Sequence, residues 1–195
     1  MTATFDKMAE LQWQLLPPCT SLNGRNRSAP IVFENQHVKI NLEGTRPAFN
    51  ASNFNPEETS RLNLDLSCTL SYTEFLRTVD TWALRELSKN PTLYFKKDLS
   101  PAQVKAAYIE CARTHEKNGV QYPASMRLKI MVNGPNQIRC WTSDREPRPL
   151  PDDWRKCIIT PQITAKSIWL MNGQAGVLFE CYDCIVQDDD VSCPF

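Results

Sequence analysis

Met126-Arg127-Leu128-Lys129-Ile130-Met131-Val132, then Asn133-Gly134-Pro135-Asn136, then Gln137-Ile138-Arg139-Cys140-Trp141-Thr142 is the stretch whose pattern decides the fold. Apolar residues at 126, 128, 130 and 132 alternate with Arg127, Lys129 and Met131, the period of two that marks a strand with one buried face. The Asn-Gly-Pro-Asn segment is a turn signal, and beyond it Ile138 and Cys140 take up the alternation again. An antiparallel hairpin is predicted, with Arg127 and Lys129 outward on one strand and Arg139 and Trp141 outward on the next.

Working outward, Lys156–Thr160, Gln162–Met171 and Val177–Val186 read as further strands, the last two joined at Asn172-Gly173. Upstream, Ile31–Leu42 reads as a strand, and so does Arg61–Leu70, where Leu62, Leu64, Leu66, Cys68 and Leu70 alternate with polar residues. Glu43–Ser60 between them, rich in Asn, Pro and Ser, reads as a long loop. Ser71-Tyr72-Thr73-Glu74 has capping-box spacing and predicts a helix that stops at Asn90-Pro91. Ser100-Pro101 predicts a second helix, with Val104, Tyr108 and Cys111 on one face and Asn118-Gly119 as its end.

Two strands, two helices and about four strands in hairpins do not suit a parallel α/β sheet. They predict a mainly β fold with inserted helices, an OB-like antiparallel β-barrel. The division that follows is an N-terminal arm over 1–29, an OB-like nucleic-acid-binding domain over 30–187 with the helical insertion near 72–118, and an acidic C-terminal tail over 188–195.

Formal net charge is zero, but the charges are segregated: the balance is −2 over residues 1–76, +7 over 77–166 and −5 over 167–195. A basic middle beside an acidic end suggests a polyanionic partner and a separate acidic segment. No window approaches the ~20 apolar residues of a membrane span, and the first residues lack the apolar stretch of a signal peptide. The expectation is a soluble intracellular protein with no membrane partner. The eight cysteines are read as free thiols, most of them within apolar patterns.

Trp154, Arg155, Lys156, Lys166 and Trp169 lie in the elements adjoining the outward Arg127, Lys129, Arg139 and Trp141. Cations that track phosphates, interleaved with flat rings on which unpaired bases stack, are what single-stranded nucleic acid requires. Trp141 is the stronger stacking candidate on this pattern, because Arg139 shares its face while Trp169 is flanked by Ile168 and Leu170. The alternative is an ordinary solvated face whose tryptophans tuck into the core.

The chain ends Gln187-Asp188-Asp189-Asp190-Val191-Ser192-Cys193-Pro194-Phe195. This end resembles the acidic C-terminal tip of single-stranded DNA-binding proteins of bacteria and T7-like phages. The stretch Ile159-Thr160-Pro161-Gln162-Ile163, with Ile168-Trp169-Leu170-Met171-Asn172-Gly173-Gln174-Ala175-Gly176, resembles the last hairpin of the T7-like single-stranded DNA-binding proteins, as found also in large eukaryotic DNA viruses. The likeness covers the C-terminal quarter, and Ala175 stands where a larger residue is often found. It implies a protein that coats exposed strands in replication, recombination or repair. It also implies docking of replication proteins through Asp188, Asp189, Asp190 and Phe195, and a nuclear or viral replication compartment if the chain is viral.

Sharper chemistry is unsupported. Cys181-Tyr182-Asp183-Cys184 has no second ligand pair for zinc, and on a regular strand its cysteines point to opposite faces. His37 and His115 sit in no metal or nucleophile motif, Asp152-Asp153 lacks a third acid, and no Gly-rich phosphate loop is present. The expectation is a non-enzymatic protein without cofactor or metal whose partner is single-stranded DNA, with homo-oligomerisation left open. Two other readings stand beside it: a structural or virion-associated adaptor that does not bind nucleic acid, and an RNA-binding protein.

Overall fold

The computed structural model describes residues 2–4, 12–21, 27–55, 57–117 and 119–189. Its strands are β1 (Thr2–Thr4), β2 (Gln14–Leu15), β3 (Cys19–Thr20), β4 (Arg27–Val32), β5 (Lys39–Asn41), β6 (Ser52–Asn55), β7 (Glu58–Ser67), β8 (Tyr108–Ile109), β9 (Ala112–Lys117), β10 (Val120–Met131), β11 (Arg139–Trp141), β12 (Pro147–Arg148), β13 (Cys157–Met171) and β14 (Gln174–Asp188). Three helices, α1 (Leu70–Lys89), α2 (Pro91–Phe95) and α3 (Pro101–Ala107), stand between β7 and β8. No helix among the described residues is long and apolar enough to cross a membrane.

The spine is the β13–β14 hairpin, whose register runs from Cys157↔Asp188 at its open end to Met171↔Gln174 at its turn. Outside β13 lie β4 against Ser167–Leu170 and β5 against Gln162–Ile163, both antiparallel. Outside β14 lie three strands end to end and parallel to it: β8 against Ala175–Gly176, β10 against Phe179–Glu180 and β11 against Asp183–Ile185. β10 in turn pairs antiparallel with β7 and with β9. The result is one mainly β, mixed and open sheet, not the closed antiparallel barrel the sequence suggested. Its main path runs from β1 to β6, and among the described residues these two ends do not pair.

The hairpin expected between Met126–Val132 and Gln137–Thr142 is likewise replaced. One backbone bond joins them, from the Ile138 N–H to the Met131 carbonyl at 2.7 Å, after which β11 takes its hydrogen bonds from β14. Within the stretch read as an N-terminal arm, 1–29, Cys19–Thr20 pairs with β4, whose Arg27–Ala29 pair with β13. At the start of the stretch read as an acidic tail, 188–195, Asp188 closes β14 and the Asp189 N–H donates to the Lys156 carbonyl. Asp190 and Phe195 lie outside the described residues.

α1 is capped by Thr69, whose hydroxyl accepts from the Tyr72 N–H at 3.2 Å, rather than by Ser71. The Ser71 hydroxyl instead donates to Glu43, which Ser71 and Thr69 together hold below the usual carboxylate range. Tyr72, Phe75, Leu76, Val79, Ala83 and Leu87 form its buried stripe. α3 has the capping box, Ser100 with Gln103, but ends at Ala107 instead of continuing to Asn118-Gly119. Asp80 of α1 takes the Tyr108 hydroxyl at 2.7 Å and the Cys111 N–H at 3.1 Å, anchoring the chain there as extended backbone. β9 and β10 then form a hairpin around Gly119, whose φ of +74° is the left-handed conformation glycine supplies.

Leu64, Leu66, Met126, Leu128, Ile130, Ile159, Ile163, Ile168 and Phe179 pack under the helices in one core. Cys181 and Cys184 both face into it, although they are three apart. The register steps from Gln162↔Asp183 to Ile163↔Cys181, so Tyr182 is a bulge residue that resets the alternation. All seven described cysteines are free thiols.

Candidate nucleic-acid interface

The alternation along β10 places Met126, Leu128 and Ile130 in the core and turns Arg127 and Lys129 to the opposite face. Across the sheet Arg61 and Asn63 of β7 stand opposite Met131 and Lys129, so their side chains share that face. β9 contributes Arg113, opposite Ser125. From the other side β13 brings Trp169 and β4 brings Arg27. These elements enclose a cavity of about 560 Å³ into which Arg27, Arg61, Arg113, Arg127, Lys129 and Trp169 converge. Apolar Leu170, Met171, Val177 and Leu178 complete its wall, and among the described residues no acidic side chain lines it.

Two of the five cations are held by carboxylates set back from the opening. The Arg127 guanidinium donates twice to Asp65, at 2.8 Å each, with 34% of its side chain exposed. Lys129 donates to Glu180 at 2.8 Å, and Tyr182 donates to the same carboxylate. Burial pushes Glu180 up, but the bonds from Lys129 and Tyr182 bring it below its ordinary value. Burial lowers the pKa of Arg113 and the neighbouring Arg127 lowers it further, only partly offset by Asp65. Asp65 thus pairs directly with Arg127 and acts on Arg113 only through its charge. Arg27 is fixed differently, donating to the Tyr94 and Leu93 carbonyls of α2 at 2.8 and 2.9 Å.

The residues singled out from sequence fall into three groups. Arg127, Lys129 and Trp169 meet in the cavity. Lys166 is half-buried and close enough to Glu180 to help lower it. Arg139 and Trp141 sit further along β14 around Asp183, which accepts from Arg139 at 2.6 Å and from the Trp141 indole N–H at 3.1 Å. The Arg139 guanidinium also lies 5.9 Å from the Trp141 ring centroid, so that indole already has a cation over it.

Trp154, Arg155 and Lys156 form a short 3-10 turn at the open end of the β13–β14 hairpin. That end is on the order of 40 Å along the strand from Trp169 at the usual rise per residue. Trp154 is only 3% exposed and packs in the core, so its ring presents no stacking surface, and Arg155 is paired with Asp153 at 2.8 Å. At the same end Asp188 pairs with Arg148 at 3.0 Å and Asp189 with Arg46 at 2.7 Å. The described acids of the terminal segment are therefore clamped away from the cavity.

Arg61 and Arg113 escape the sequence reading. Assigning 108–117 to a helix hides Arg113, whereas Asn118-Gly119 read as a hairpin signal would place it on a strand beside Arg127. Among the described residues no three His, Cys, Asp or Glu side chains group to hold a metal ion.

No protein-family model matches the chain. No curated protein matches it. Among solved structures it is similar to the single-stranded DNA-binding protein from bacteriophage Enc34 in complex with ssDNA, at 11% identity and a TM-score of 0.47, over 91% of this chain and 97% of that one.

Proposed function

We propose that this protein binds single-stranded DNA in the cavity between β4, β7, β9, β10 and β13, without catalysing a reaction. One observation carries the reading: five cationic side chains and a half-exposed indole converge on one recess with an apolar wall and no acidic lining residue among those described. Guanidinium and ammonium groups meet phosphates, and Trp169 offers a ring to an unstacked base. A stacked duplex keeps its base faces inside the helix and has none to offer such a recess. The open sheet with helices inserted between β7 and β8 fits an OB-type scaffold, which is itself a partly open barrel.

Coating of exposed strands in replication, recombination or repair belongs to the same reading, as does docking of replication proteins through the terminal acidic segment. Both draw their support from the sequence resemblance. A protein-binding adaptor is the second reading. It is favoured by the ion pairs Arg127–Asp65, Lys129–Glu180 and Arg139–Asp183, which neutralise cations that the strand pattern turns outward.

Fluorescence-anisotropy titrations with labelled oligo-dT, oligo-U and a duplex, at two salt concentrations, test the proposal. Oligo-dT is expected to outcompete duplex and to weaken steeply with salt. Binding of oligo-U in preference to oligo-dT would move the reading to RNA, and failure of all three to bind would leave the adaptor.

A further inference from the structure

Trp169 and Gly176 face each other directly across β13 and β14. A Cβ placed on Gly176 would lie 2.6, 2.8 and 3.0 Å from Cζ2, Cε2 and Nε1 of the indole, so the ring rests on bare backbone. Among the described residues the glycines with positive φ are Gly119, Gly134 and Gly173, and Gly176 is not one of them. Its backbone thus accepts an L-residue, and what the position requires is the missing side chain. Glycine inside a strand weakens the strand and often marks close approach by another group. Here that group is the indole.

We propose that Gly176 is a positioning residue that sets the Trp169 indole, before any ligand arrives, as the platform on which one base of the single strand stacks. The proposal rests on the single-strand reading above and deepens it. The ring is a wall shared by two spaces: the large cavity, and a small notch lined also by Glu110, Arg113, Arg127, Val177 and Phe179. A base laid on it is flanked by Arg113, placed to receive its phosphate, and by Arg127, which Asp65 holds by two bonds. Because the ring is already seated, little of its rotamer freedom remains to be lost on binding. Trp141 has no such role, because Asp183 and Arg139 occupy its N–H and lie over its ring.

A ring that only shields a strand glycine would stabilise the sheet without touching nucleic acid. Titration of oligo-dT against the full chain and its G176A, W169A, W169F and G176A/W169A variants separates the two. Melting curves report folding. Displacing the ring in G176A is expected to weaken binding roughly tenfold, within the roughly 5- to 150-fold range that loss of one stacked base corresponds to. The salt slope should stay unchanged, because no phosphate contact is removed. In the W169A background the added G176A change should have no further effect, and W169F should bind more tightly than W169A.

A folded G176A protein that binds oligo-dT like the wild type overturns the proposal while leaving single-strand binding intact. So does a G176A effect that persists without the indole. A wild type that does not bind oligo-dT overturns both. Should G176A fail to fold, fluorine NMR of the fluorotryptophan-labelled wild type decides, with the Trp169 resonance assigned by its loss in W169F. One sharp Trp169 resonance in the free protein agrees with a preset ring, and exchange between two positions contradicts it.

Discussion

Replacing Asp65 by asparagine should make the protein less stable and a better ligand for single strands at the same time. Asp65 is buried, accepts both Arg127 bonds at 2.8 Å and lies near enough to Arg113 to favour its charged form. Hydrogen bonds to charged groups contribute about 1.5–3 kcal/mol, and unpairing a fully buried ion pair costs about 3–5 kcal/mol. Arg127 is 34% exposed and the amide oxygen of the introduced asparagine would still accept one bond, so a loss of about 1–2 kcal/mol is expected. For a chain of this size that is a fall in melting temperature of roughly 2–8 °C. The released guanidinium faces the cavity, so one more cation becomes available to a phosphate. The log–log salt slope for oligo-dT should steepen by about 0.7, and affinity at low salt should rise. Urea or thermal melts and anisotropy titrations over a salt series measure the two effects. If affinity falls along with stability and the slope does not change, the Arg113–Arg127 pair does not meet nucleic acid and the reasoning fails.

Trp154→Ala should cost about 3–5 kcal/mol by denaturant melting, as expected for a buried ring, with oligo-dT affinity unchanged wherever the protein remains folded. Asp188→Asn with Asp189→Asn should cost no more than about 1 kcal/mol and leave oligo-dT binding unaltered, because both acids pair with Arg148 and Arg46 at the far end of the hairpin. A rise in affinity in that protein would place the acids beside the site. Asp183, like Glu180, is raised by burial and brought below its ordinary value by its bonds, from Arg139 and Trp141. A carboxylate depressed in the folded state contributes stability that is complete above its unfolded pKa and is lost as pH falls through the folded value. Melting temperature should therefore be level above about pH 5 and decline below about pH 4, and Glu180→Gln with Asp183→Asn should flatten that decline.

Strands with one buried face were legible because burial imposes a period of two on the sequence. β7 and β10 appear where Leu62–Leu66 and Met126–Ile130 alternate. Pairing partners were not legible. β8, β10 and β11 share one edge of β14 because of contacts distant in sequence, and nothing local to Gln137–Thr142 tells parallel pairing with β14 from a hairpin with β10. The segment 108–117 misleads for a related reason. Tyr108 and Cys111 have helical spacing, but Asp80 on another element fixes them as extended chain. Of the residues the pattern names, Arg127, Lys129 and Trp169 line the cavity, yet the pattern ranks Trp141 ahead of Trp169. Which outward ring is already taken by a carboxylate and a guanidinium depends on Asp183, whose facing is set by the bulge at Tyr182.

Photocrosslinking of iododeoxyuridine-substituted oligonucleotide to the full chain, with the attached peptide identified by mass spectrometry, reports which ring contacts a base. The adduct is expected on Trp169 and is expected to disappear in Trp169→Ala. An adduct on Trp141, or none on any residue lining the cavity while the oligonucleotide remains bound, would contradict that expectation.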